Sequence, residues 1–116
     1  MIIGSTGIDY DPDKDEINRK KHHYSLESAV YILERTLLPV GHKTHFVSDS
    51  IERNGEIRHN HLAVDDENNI VFIVTTMRPG ETVRVISFRR ANKKEKILYA
   101  KLCQTIVMAS GLDAFE

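Results

Sequence analysis

A chain of 116 residues with 41% hydrophobic and 28% charged residues has the size and composition of one small soluble domain, able to build a core without metal or disulfides. Its formal net charge is −1, its single cysteine, Cys103, allows no disulfide within the chain, and no window nears the roughly 20 apolar residues that cross a bilayer. A disulfide scaffold and a helical membrane protein are excluded, and a reducing cytoplasm is the expected location; residues 1–8 are apolar but lack the basic flank and length of a signal peptide.

Residues 8–10 read as a short edge strand. Asp11-Pro12 then starts a helix, because Asp accepts backbone N–H bonds as an N-cap and Pro at the first helical position gives up an N–H with no partner. Acids at 13, 15 and 16 fall in its first turn and bases from 19 to 22 in its last, as the helix dipole favours, so it is expected to end near His22. Ser25 caps a second helix whose Leu26, Ala29, Val30, Leu33 and Leu37 form one buried stripe, until Pro39 and Gly41 end it. Residues 42–55 are polar and show no clear period, apart from the turn signal Asn54-Gly55. A strand meander follows over 56–64, 70–76 and 82–90, with turns at 65–69 and Pro79-Gly80. Residues 70–76 are apolar on both faces, which places them in the middle of a sheet. Asn92 and Glu95 form a capping box for a last helix carrying Leu98, Leu102, Ile106 and Ala109 on one side, beside Tyr99 and Cys103, with Gly111 as its stop. The order predicts an α+β fold: a small antiparallel sheet of three to four strands in a meander, covered on one face, with two N-terminal helices and one C-terminal helix.

Charge is unevenly spread. Residues 78–101 hold Arg78, Arg84, Arg89, Arg90, Lys93, Lys94, Lys96 and Lys101 against Glu81 and Glu95, a local +6 in a chain of −1. A solvated helix accounts for the lysines, whereas three arginines on a β-branched strand suit a surface that meets phosphates. Glu56 and Arg58 share one face of the first meander strand, and Lys21 and His22 end the first helix. Brought together, these residues place two proton-transfer candidates, His22 and Glu56, beside fixed cations. Metal-independent RNA cleavage needs that set: a base for the 2′-hydroxyl, an acid for the leaving 5′-oxygen, and cations for the phosphorane, a role that suits the planar, always-charged arginine. The plainer reading, in which Glu56 pairs with Arg58 or Arg84 for stability alone, stays open from the residues.

Other chemistries find less. His42, His45, His59 and His61 could supply imidazoles, but no cysteine or carboxylate pattern accompanies them, and no metal or other cofactor is expected. His59-Asn60-His61 spells a nuclease motif without its ββα surroundings. There is no Gly-x-Ser-x-Gly and no spaced glycine loop before a helix, and Cys103 has apolar neighbours.

Several segments, in register, resemble the BrnT toxins, small ribonucleases of bacterial type II toxin–antitoxin modules with a RelE-like fold. They are Tyr10-Asp-Pro-Asp-Lys14, Asn18-Arg-Lys-Lys21-His22, Tyr24-Ser25-Leu26-Glu27-Ser-Ala29, Glu56-Ile-Arg58, Thr76-Met-Arg78, Arg84-Val-Ile-Ser87-Phe-Arg89-Arg90-Ala91, Lys94-Glu95 and Tyr99. The likeness spans about residues 8–101 of a single domain over 1–116, leaving 102–116 as an extra helical tail. It departs at His23, where the family has Gly, and at Phe88, where it has Ala; the latter is expected to put a bulky ring beside the site. The resemblance implies a cytoplasmic, metal-independent endoribonuclease toxin that cleaves mRNA and is neutralised by a cognate antitoxin, as a homodimer or a toxin–antitoxin hetero-oligomer. It implies catalytic roles for His22, Glu56, Arg58 and Arg84, and RNA phosphate binding by Lys21, Arg78, Arg89 and Arg90. A non-catalytic protein-binding module on the same scaffold is the alternative, because binding a phosphate and cleaving beside it use the same cations.

Overall fold

The computed structural model describes residues 2, 3, 6–37 and 45–110, with side chains placed for 7–35 and 45–105. One mixed sheet holds β1 (Ile2–Ile3), β2 (Thr6–Tyr10), β3 (Phe46–Val47), β4 (Ile51–Arg53), β5 (Glu56–Val64), β6 (Ile70–Arg78) and β7 (Thr82–Arg90). Its order is β1-β2-β7-β6-β5-β3, with β4 also paired to β5. Helices α1 (Pro12–His22) and α2 (Leu26–Leu37) follow β2, and α3 (Lys93–Ser110) follows β7.

The expected antiparallel meander of β5, β6 and β7 is present, with β6 in the middle. The small, wholly antiparallel sheet is corrected: β2 runs parallel to β7, and β1, β3 and β4 extend the edges. Parallel pairing joins strands far apart in sequence, and strands of two or three residues carry no measurable period, so neither shows in a local pattern. Residues 102–110 continue α3. Pro39, Gly41, His42 and Gly111 lie outside the described residues, as do the side chains of Leu37, Ile106 and Ala109.

Both sheet faces are covered, where one was expected. Leu26, Ala29, Val30, Ile32 and Leu33 of α2 are buried against Ile8, Ala63, Val71, Ile73, Val85 and Phe88. On the other face α3 covers one end only, where Tyr99 and Cys103 join Phe46, Leu62, Val64, Ile70 and Phe72. The rest of that face is open.

A bulge sets the phase of β7. Val74 pairs with Ser87 and Thr75 with Val85, leaving Ile86 as the extra residue. Val85 and Phe88, three apart, therefore both face α2, and Arg84 opposite Thr76 shares the other face with Arg89 opposite Phe72. Phe88 is 1% exposed and its ring lies 4.6 Å from that of Tyr24. The ring expected beside the site is thus in the core.

α1 is docked on a strand edge. β2 ends at Tyr10, opposite Val85, so the outer edge of β7 beyond that point has no strand partner. Asn18, 5% exposed, takes the place of one: its Nδ2 donates to the Phe88 carbonyl at 2.8 Å and its Oδ1 accepts from the Phe88 N–H at 3.1 Å. The same Nδ2 donates to the Tyr24 carbonyl at 2.9 Å. Asp15 Oδ1 accepts the Leu26 N–H at 2.6 Å, which fixes the start of α2 to α1. His23 ends α1 in the left-handed conformation at φ 65°, its N–H on the Arg19 carbonyl. It holds the turn that glycine would make without strain.

Removing the Asn18 amide strands a buried N–H and carbonyl, at roughly 1–3 kcal/mol each. Asn18→Ala should therefore cost about 3 kcal/mol in urea unfolding, and Asn18→Asp, which loses the donor, should not restore it; a change near zero would contradict the edge-pairing role.

His61 gives a pH signature. It is 4% exposed and bonded to Thr75 Oγ1 at 2.8 Å and to His45 Nε2 at 3.0 Å. Burial above all, then His45 and His59, pushes its pKa from 6.5 down to about 3. Below pH 6.5 the unfolded chain takes up a proton that the folded chain refuses until about pH 3. Stability should fall across that window by up to about 1.4 kcal/mol per pH unit. His61→Gln should flatten the slope in unfolding measured from pH 7 to pH 4, and an unchanged slope would contradict this origin.

Candidate functional site

The open part of the second sheet face holds a cavity of about 530 Å³. Phe72 and Val74 of β6 and Ile86 and Ser87 of β7 line it, joined by Lys14, Lys21 and His22 from α1 and by Glu56 and Arg58 from β5. Arg89 stands toward α3. The bulge explains why consecutive residues, Ile86 and Ser87, both reach it. On α1, Lys14, Asn18 and Lys21 with His22 recur at four and then three or four, so the contact that docks Asn18 on β7 carries Lys14, Lys21 and His22 on the same side. Lys14 was missing from the sequence candidates, although this spacing could have found it.

Five of the eight candidates meet here: Lys21, His22, Glu56, Arg58 and Arg89. Three do not line the cavity. Arg84 lies on the same face but is held at β2, its Nε and Nη2 donating to Asp9 Oδ1 and Oδ2 at 3.0 and 3.2 Å. Arg78 is exposed at the end of β6. Arg90 donates from Nε to the Tyr24 hydroxyl at 3.0 Å and lines a neighbouring hollow.

The cations inside differ in how far they are already engaged. Arg89 donates through Nη1 and Nη2 to the two carboxylate oxygens of Glu95, at 2.8 and 2.9 Å, and lies over the Phe72 ring at 4.3 Å. Arg58 uses only Nε, donating to Glu56 Oε1 at 2.8 Å. Its two Nη groups have no protein partner among the described residues, and neither Lys14 nor Lys21 forms an ion pair there. Donors without a partner among the described residues can bind an anion, and an arginine aimed by a carboxylate presents its fork in a fixed direction.

His22 is half-buried, and its pKa is lowered from 6.5, first by loss of solvent and then by Lys21, Arg89 and His23. A neutral imidazole at pH 7 can take a proton. The other histidines are placed differently: His61 is buried and bonded within the fold, and among the described residues no group of three or more His, Cys, Asp or Glu is arranged to hold a metal. Cys103 is on α3 and packs against the cluster of Leu62, Ala91 and Tyr99. Among the described residues, no helix is long and apolar enough to cross a membrane.

A family model described as the ribonuclease toxin BrnT of type II toxin–antitoxin systems matches residues 10–95. Among solved structures, the fold is similar to the 1.1 Å crystal structure of the Brucella abortus ribonuclease toxin BrnT, with a TM-score of 0.53 over 76% of this chain and 97% of that one, at 18% identity. No curated protein matches the chain. The matched residues include every side chain of the cavity, and with the family model covering most of the sequence, the chain belongs to the BrnT family of type II toxin–antitoxin ribonuclease toxins.

Proposed function

We propose that the cavity between α1 and β5 cleaves single-stranded RNA without a metal ion. One observation carries the reading: a half-buried histidine kept neutral stands in the same cavity as an arginine whose two Nη groups have no partner among the described residues. His22 takes the 2′-hydroxyl proton as the 2′-oxygen attacks phosphorus. Arg58, with Lys14, stabilises the charge that gathers on the phosphorane, and its fixed fork gives the directed donors that such stabilisation needs. The bond to the 5′-oxygen breaks, a 2′,3′-cyclic phosphate is left, and the 5′-oxygen takes a proton from the neighbouring Lys21 ammonium. Glu56, a proton-transfer candidate from sequence, serves here to aim Arg58. Arg89, clamped by Glu95 and stacked on Phe72, forms a fixed positive wall. Arg84 serves as a tether between β2 and β7. A cognate antitoxin, which the family implies, would silence this surface by covering its cations.

Labelled single-stranded RNA incubated with purified protein in EDTA should be cut to 2′,3′-cyclic ends. His22→Ala and Arg58→Ala should each slow cleavage by about 10²- to 10⁴-fold. Arg84→Ala should stay within a few-fold of wild type and lose about 1 kcal/mol of stability, as a half-exposed ion pair does. Intact RNA in every lane, with or without ribosomes, would leave a non-catalytic binding module as the better reading.

The pH profile should follow His22. Because its pKa lies below 6.5, kcat/KM should hold level at neutral pH and fall in more acid solution, as the imidazole becomes protonated. An acid limb with its midpoint above about pH 7, or one that persists in His22→Ala, would contradict the assignment.

A further inference from the structure

A second cavity, of about 500 Å³, adjoins the first across β5 and β6. Its wall is apolar, from Phe46, Leu62, Phe72, Leu98 and Leu102. The two cavities share Phe72, and Val74 in the first pairs across the strands with Asn60 in the second. Asn60 also lies two residues from Arg58 on the same face of β5, a separation of roughly 6.6 Å. The volume is inside the roughly 300–1,000 Å³ range of pockets that hold small molecules.

The polar groups of this wall are nearly all taken. Ser48 accepts the Asn60 N–H at 3.0 Å and donates to the Asp49 carbonyl at 2.8 Å. Glu95 is held by Arg89 and Asn92, and His45 by His61. The half-buried side-chain amide of Asn60 has no hydrogen bond among the described residues. An amide offers a donor and an acceptor side by side, which matches the edge of a nucleobase, and an apolar wall with aromatic rings matches its faces.

We infer that this second cavity is a nucleobase subsite, in which Asn60 reads the edge of the base next to the phosphate that Arg58 holds. The inference rests on the RNA-cleavage reading for the identity of its ligand and deepens it: the toxin cuts with a base preference set at Asn60, while the phosphate cavity supplies affinity independent of sequence. Leu98, exposed on α3 at the rim, is where the cavity can be blocked without disturbing the core.

The test is fluorescence anisotropy with 2′-O-methyl oligonucleotides, which lack the attacking hydroxyl, identical except for A, C, G, U or an abasic residue walked through each position. Wild-type affinity should vary about tenfold with the base at one position, the discrimination expected of one bidentate amide contact. Asn60→Ala should shrink that spread to about twofold with abasic binding unchanged, and Leu98→Trp should bring every sequence to the abasic level. Arg58→Ala should weaken all sequences alike. Thermal melts of each variant report folding. Equal affinity for all bases in the wild type, or a spread that survives both substitutions, overturns the inference. So does a Leu98→Trp protein that binds RNA normally and no longer binds its antitoxin. Cleavage of the matching unmodified RNAs separates the two readings. Base-dependent binding without cleavage removes the ribonuclease reading and keeps the subsite, whereas cleavage without base dependence does the reverse.

Discussion

A strand edge that is buried must find partners for its N–H and carbonyl groups, and β7 runs past the end of β2 with that need unmet. The Asn18 side chain meets it at Phe88, from a helix rather than from another strand. Everything on α1 inherits its position from this contact. Lys14, Lys21 and His22 reach the cavity because they share a side with Asn18, and α2 follows through the Asp15 bond to Leu26. One amide thus couples the stability of the fold to the geometry of the candidate site.

The second sheet face is divided between packing and chemistry. Along β5 the side chains on that face read Glu56, Arg58, Asn60, Leu62 and Val64, from charged through polar to apolar. α3 covers the apolar end and leaves the charged end to solvent. The Arg89–Glu95 pair marks the boundary. Glu95 also closes the capping box with Asn92, each accepting the other's backbone N–H at 2.8 Å, so the start of α3 and the placement of Arg89 are set by one carboxylate. Of the two arginines that line the cavity, Arg89 has both Nη groups committed to Glu95, and Arg58 has both without a protein partner among the described residues.

Much of this was legible in the sequence, for reasons specific to each element. Asp11-Pro12, Ser25 and the Asn92–Glu95 pair announce helix starts because caps use the chain's own neighbouring groups, and the α2 stripe announces burial because its period matches a helix. Glu56 and Arg58 share a face on any strand. The bulge at Ile86 was not legible, because one extra residue leaves no mark in composition yet inverts the alternation after it. It sends Phe88 into the core and turns Arg89 toward the site, against the even spacing that links residues 84, 86, 88 and 90. The parallel β2–β7 pairing was hidden for a different reason: it joins distant segments, and it takes Arg84 out of the cavity by giving it Asp9. Asn18 belongs to the motif that resembles the family, but its pairing with an open strand edge exists only in three dimensions.

The most direct measurement of the central claim is a crystal structure of the protein with a short RNA carrying 2′-O-methyl groups. The account predicts the phosphate next to the blocked 2′-oxygen within about 3 Å of the Arg58 Nη atoms, with the His22 imidazole facing that 2′-oxygen. A phosphate seated instead on Arg78, Arg84 or Arg90, with the α1–β5 cavity empty, would contradict it.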